Sequence, residues 1–118
     1  MNLKMLKAKL HRATVTEAKP NYIGSITIDR DLMDAAGILE YEAVLICDIT
    51  NGARSETYAL GGARGSGIIC TNGATAKIIN KGDIVIILCF EYLLKDEVAD
   101  NEPKMILLDE NNRIVRKL

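Results

Sequence analysis

Gly24-Ser25 is a dipeptide that can do chemistry on its own chain. A serine hydroxyl can attack the carbonyl carbon of the peptide bond before it. The acyl group then moves from nitrogen to oxygen, and β-elimination from the resulting ester cuts the chain. The dehydroalanine left at the new N-terminus hydrolyses to a pyruvoyl group, a ketone flanked by an amide. Glycine before the serine helps, because without a Cβ it reaches strained conformations that expose its carbonyl. The dipeptide alone does not discriminate. Gly65-Ser66 is a second copy, and Gly-Ser pairs are ordinary in loops.

The other candidates are single side chains, each with a plainer reading beside the chemical one. Lys9 and Arg54 are cations suited to carboxylates, Arg54 through its planar fork; equally, a strand lysine and an arginine after a turn are usually solvated. Tyr58 can deliver a proton, or be a barrel tyrosine with a satisfied hydroxyl. The single histidine, His11, permits acid–base work without indicating it. There is no Ser–His–Asp spacing and no nucleophile elbow. Gly61 to Gly67 is glycine-rich but lacks the G-K-[ST] ending of a phosphate loop. Cys47, Cys70 and Cys89 form no C-x-x-C and sit in apolar runs, which reads as buried, reduced thiols. No Cys or His stands at ligand spacing from His11, so no metal site is expected.

The elements that must position these residues are short strands. Leu6, Ala8 and Leu10 alternate with Lys7, Lys9 and His11, the period of a half-buried strand. Tyr22 to Ile28 reads as a strand containing a glycine. Asp31 to Gly37 reads as one short helix, capped by Asp29 or Asp31 and closed by Gly37 in the left-handed region. Val44 to Ile49 and Arg54 to Leu60 read as a hairpin about Asn51-Gly52, the usual type I′ pair. Ile68 to Thr71, Ile84 to Phe90, Met105 to Leu108 and Arg113 to Val115 complete the strands. Asn72-Gly73 is a tight turn, Ala74 to Ile79 a helical turn, and Lys95 to Pro103 a charged loop. Six or more short strands with turns every 8–12 residues predict a mainly β small barrel or sandwich.

The 118 residues make one domain. Fifteen bases against sixteen acids do not suit a nucleic-acid grip, and 4% aromatics without tryptophan do not suit a base-stacking platform. Six of the bases lie in residues 1–30 against two acids, a bias that fits a solvated surface or an anion site equally well. The longest apolar run, Ile84 to Phe90, is far below the ~20 residues of a membrane helix. No signal-peptide stretch follows the N-terminus. A soluble, cytoplasmic protein is expected.

Read together, several segments resemble the pyruvoyl-dependent aspartate decarboxylase family. Met5 to Thr16 is similar to its first strand, and Tyr22 to Asp29 to its processing site. Asp34 to Glu42 is similar to its helix and following segment, while Thr50 to Arg54 and Thr57-Tyr58 are similar to its substrate hairpin. Arg64 to Ile69, Asn72 to Ala74 and Lys81 to Ile87 follow in order. The resemblance spans about residues 4 to 90, and nothing is carried over beyond Glu91.

What the resemblance implies is specific. It implies a double-psi β-barrel with one or two short helices, assembled as a homotetramer with sites between subunits. It implies self-cleavage into residues 1–24 and 25–118, with a pyruvoyl group made from Ser25 as the only cofactor, and no metal or pyridoxal phosphate. The activity implied is conversion of L-aspartate to β-alanine and CO₂ through a Schiff base, which feeds pantothenate and coenzyme A synthesis. By position, Ser25 and Tyr58 match its catalytic residues, Tyr58 as the proton donor. Lys9, Arg54, Thr57, Gly73, Ala74 and Thr75 match its substrate contacts. Gly24, His11, Tyr22, Thr57 and Asn72 match residues about its processing site. The family pattern has alanine where Thr75 stands. Two rival readings remain at this level: a non-enzymatic barrel whose basic first strand binds an acidic partner, and a pyruvoyl decarboxylase for another amino acid. Lys9 and Arg54 favour an acidic substrate.

Overall fold

The computed structural model describes residues 1–118. Its strands are β1 (Asn2–Thr14), β2 (Glu17–Lys19), β3 (Ser25–Asp29), β4 (Ala43–Asp48), β5 (Arg54–Gly62), β6 (Ile69–Asn72), β7 (Ile84–Leu94), β8 (Lys104–Leu108) and β9 (Ile114–Lys117). One α-helix, α1 (Arg30–Ala36), and two 3₁₀ segments, Gly73–Lys77 and Lys95–Asp100, complete a mainly β chain. The strands lie in the order β2-β6-β3-β5-β4-β7-β1-β8-β9. The pairs β1/β8, β2/β6 and β3/β5 are parallel, and the rest antiparallel.

Alternation builds the core. Ala8, Leu10, Val44, Ile46, Val85, Ile87 and Cys89 are buried in β1, β4 and β7, while intervening residues face outward, as period-two side chains do. Beyond β1, Val15 donates to the Asp83 carbonyl at 2.9 Å and Thr16 to the Ile69 carbonyl at 2.8 Å. The chain leaving β1 therefore ties the β7 side of the molecule to β6. Strand β5 makes the other connection: Arg54–Tyr58 pair with β4 and Ala59–Gly62 with β3.

Local signals explain α1. Asp29 is its N-cap and accepts from Asp31 N–H at 2.9 Å, and Gly37 closes it at φ 74°. The glycine-rich loop also has a physical use. Gly65 and Gly67 N–H donate to the Asp29 carboxylate at 3.1 and 2.8 Å, so the anion held by these amides is one of the protein's own. Those bonds outweigh burial and hold the Asp29 carboxyl below the usual range.

Three expectations need correction. The strand read from Tyr22 begins only at Ser25, because its partner β6 ends at Asn72 and offers no ladder to earlier residues; Tyr22 and Ile23 are exposed. The β4–β5 connection is not a type I′ turn, since Gly52 takes positive φ and Asn51 does not. Asp48 Oδ1 accepts from Thr50 and Asn51 N–H at 2.8 and 3.3 Å, winding the chain into a wider loop closed by Asp48 N–H to the Ala53 carbonyl at 2.8 Å. Finally, Lys95–Asp100 is a 3₁₀ segment within the charged loop. All three cysteines are free, with Cys70 and Cys89 buried and Cys47 only half-buried.

Candidate active site at the Gly24-Ser25 bond

Ser25 is wholly buried, and its φ is 141°. That conformation is natural to glycine and costs another residue about 1–3 kcal/mol. Strain is thus placed on the serine next to the bond whose cleavage its type suggests. Across the β3–β6 ladder Ser25 faces Asn72, and Asn72 Nδ2 donates to Ser25 Oγ at 3.0 Å. The same amide donates to Thr27 Oγ1 at 3.2 Å, and its Oδ1 accepts from Cys70 Sγ at 3.4 Å. Burial pushes the Cys70 thiol up, with Glu17 adding and Lys19 opposing, so it keeps the proton it donates.

Gly73 closes the site from the other side. At φ 65°, a Cβ here would lie 2.9 Å from Gly24 Cα and 3.1 Å from Gly24 N. Only glycine allows the Asn72–Gly73 turn to press on the backbone before Ser25. Downstream, Ala74 is exposed and Thr75 buried. The Thr75 hydroxyl lies 2.7 Å from that of Ser55, which joins the turn to β5.

Strand β5, which carries Thr57 and Tyr58, runs beside β3. Ile26 pairs with Ala59 in the parallel β3–β5 ladder. Ser25 and Tyr58 immediately precede that pair in their strands. Tyr58 and Thr57 are half-buried, and the Tyr58 ring lies 6.2 Å from that of Tyr41 at 37°. At the start of β5, Arg54 is exposed and its Nη1 donates to Cys47 Sγ at 2.7 Å. No carboxylate pairs with Arg54 or with Lys9. Both cations are free for an anion from outside.

Residues expected from β1 stand apart. Lys9 pairs with Leu88 and Met105, and His11 with Leu107. In the strand order β7, β4 and β5 separate them from β3. No hydrogen bond links Lys9 or His11 to the Ser25 cluster. His11 Nδ1 is buried without a partner; desolvation, then Lys9 and Arg12, push its pKa down. A bulge follows Leu10, with Arg12 at φ 64°, a device that redirects side chains. Tyr22 is exposed, with the Lys19 ammonium 5.7 Å from its ring centroid.

Three neighbours escaped the reading of the residues: Thr27, Cys70 and Ser55. Period two would have found the first two, since Thr27 is two residues from Ser25 and Cys70 two from Asn72, on the same sheet face. No local signal marks Ser55, whose partner is twenty residues away. The assembled site is a buried, strained serine with an amide donor on its hydroxyl oxygen and a glycine backbone before it. No group of three or more His, Cys, Asp or Glu is placed to hold a metal ion, and no helix is long and apolar enough to cross a membrane.

Comparison with known proteins shows the family. The family model described as aspartate decarboxylase matches residues 1–115. A protein of Bacillus cereus (strain G9842) named aspartate 1-decarboxylase is 56% identical over 114 residues, 97% of this chain and 90% of its own. One of the same name from Neisseria meningitidis is 56% identical over 110 residues, covering 93% and 87%. Another, from Ruminiclostridium cellulolyticum, is 52% identical over 117 residues, covering 99% and 91%. Matched from end to end in this way, with a strained Gly-Ser bond at its centre, the chain belongs to the aspartate decarboxylase family.

Proposed function

We propose that this chain is a carboxy-lyase that converts L-aspartate to β-alanine and CO₂ after cutting itself between Gly24 and Ser25. The observation that carries the reading is the state of Ser25: buried, at φ 141°, with Asn72 Nδ2 on its hydroxyl oxygen. Attack of Oγ on the Gly24 carbonyl carbon forms the ester and relieves the backbone constraint. Asn72 holds Oγ in line and later stabilises it as it leaves in β-elimination. Burial keeps bulk water from hydrolysing the ester first. The products are residues 1–24 with a free carboxylate and residues 25–118 headed by dehydroalanine, whose hydrolysis releases ammonia.

The residues present fit a pyruvoyl group at position 25, since the residue is buried and the glycine before it has open space where a Cβ would stand. Such a group supplies a ketone that condenses with the substrate amine and an amide carbonyl that accepts the electron pair left by CO₂. Arg54 and Lys9 hold the dicarboxylate. Leaving the departing α-carboxylate in a less cationic setting avoids stabilising the ground state. Tyr58, which precedes the first β5 residue paired with β3, returns a proton to the α-carbon. The amides of Gly73, Ala74 and Thr75 contact substrate, and Thr57 lies against the processing site. Lys9 and His11 complete the site from a neighbouring copy in a homotetramer, a reading supported by the three strands that lie between β1 and β3 in the sheet order, while Tyr22, whose carbonyl lies against Gly73, stands by the processing site of its own chain. Three free thiols suit a cytoplasmic enzyme of pantothenate synthesis.

Intact-mass spectrometry tests this directly. Mature protein should give two chains, the larger lighter by one ammonia than a chain headed by serine, and should release CO₂ from L-aspartate. Ser25→Ala should stay one chain and be inactive. A single unaltered chain that releases no CO₂ would sink the reading.

A further inference from the structure

The Gly73–Thr75 turn lies against the Gly24 backbone, just before the bond to be cut, at one end and against the strand carrying Arg54 at the other. Gly73 sits against Gly24, where a Cβ would be 2.9 Å from Gly24 Cα. Thr75, buried, meets Ser55 hydroxyl to hydroxyl at 2.7 Å. A second bond joins the same two segments on the other side of Arg54: Asn51 Nδ2 donates to the Ile78 carbonyl at 2.9 Å. Asn51 is itself fixed, since its Oδ1 accepts from Ala53 N–H at 2.8 Å. Arg54 therefore lies between two cross-links to one short helical segment, whose first residue rests on the chain beside residue 25.

We propose that Ser55 and Thr75 are positioning residues that set the span between residue 25 and the Arg54 guanidinium, and so the length of dicarboxylate that fits. This rests on the decarboxylase reading above. An amino acid held by its amine at residue 25 and by its side-chain carboxylate at Arg54 must bridge the two. L-Aspartate and L-glutamate differ by one methylene, which a pocket rejects by roughly 10–200-fold only if its walls do not yield. Packing alone lets a turn slide along a strand. A short hydroxyl pair between Thr75 and Ser55 resists that slide, and alanine at position 75, the pattern of the family resemblance, has no hydroxyl to make it.

Steady-state kinetics with L-aspartate and L-glutamate test the proposal, with intact mass recorded for every sample. Ser55→Ala and Thr75→Val, the second keeping shape without the hydroxyl, should each raise KM for L-aspartate by about 3–10-fold, the worth of one neutral hydrogen bond. The kcat should change less, and the kcat/KM preference for L-aspartate over L-glutamate should narrow by a similar factor. Thr75→Ser should restore both. The double variant should be no worse than either single one, because one bond is lost in all three. Unmoved KM and preference, additive losses, or Thr75→Ser behaving as Thr75→Val would overturn the proposal. So would a Ser55→Ala chain that stays uncut, since the pair would then serve maturation. Wild-type protein that is cut and active while the variants keep its preference defeats this inference alone. Uncut, inactive wild-type protein defeats the decarboxylase reading with it.

Discussion

Asn72 and Ser25 face each other across the β3–β6 ladder, and the Asn72 carboxamide reaches Ser25 Oγ over 3.0 Å. The amide has little freedom to turn away, because Thr27 and Cys70 occupy its other positions. In the proposed cleavage, a side chain so held donates into an oxygen that is first nucleophile and then leaving group. Preorganised donors of this kind act without reorganisation during reaction.

Asn72→Ala should therefore slow chain cutting by about a hundredfold to a thousandfold, the range for losing one preorganised donor. The half-time of conversion from one chain to two, followed by intact mass on freshly expressed protein, measures it. Asn72→Asp should fare no better, since a carboxylate cannot donate. Cutting at the wild-type rate in both would remove Asn72 from maturation.

Gly73→Ala should harm both stability and cutting. Its Cβ would meet the Gly24 backbone at 2.9 Å at a φ of 65°, and backbone atoms cannot step aside as a side chain can. A loss of about 1–3 kcal/mol is expected, read as a lower urea midpoint, with slower conversion to two chains.

Arg54 and Tyr58 should separate binding from chemistry. Arg54→Ala should raise KM for L-aspartate by about tenfold or more, because the charged hydrogen bonds lost are worth roughly 1.5–3 kcal/mol, while chain cutting continues. Tyr58→Phe should lower kcat by about 10²-fold or more with a smaller change in KM. Kinetics on fully cut samples decide it; equal effects of Arg54→Ala on cutting and on KM would contradict this division.

Asp48 should make stability fall as pH rises. Burial, then the Asp83 carboxylate facing it, push its pKa up to about 6, and Asp48 Oδ2 has no donor partner. The folded chain thus binds more protons than the unfolded chain between about pH 4 and pH 6, and it loses on the order of 2 kcal/mol across that window. His11 runs the other way, since its lowered pKa makes stability rise with pH up to about 6.5. Comparison with Asp48→Asn cancels the His11 contribution and keeps the Oδ1 acceptor for Thr50 and Asn51. Urea midpoints at about pH 4.5 and pH 7 should show the wild-type decline missing from the variant.

Much of the fold was legible locally. Asp29 and Gly37 bracket α1 because a capping carboxylate and a left-handed glycine are decisions made within one turn of chain. The alternation in β1, β4 and β7 was readable because each has one buried face. Where a competing partner intervened, local reading failed. Asp48 drew the Asn51-Gly52 segment into a wider loop, and the end of β6 at Asn72 left Tyr22 and Ile23 without a ladder.

The amino-acid order by itself determined the mainly β class, the position of α1, and the candidacy of Gly24-Ser25, because propensities, caps and dipeptide chemistry act over a few residues. Only tertiary structure decided that Ser25 is strained and buried, that Asn72 lies on its hydroxyl, and that Ser55 meets Thr75. Those facts depend on strand register, and register is set by ladders between segments tens of residues apart.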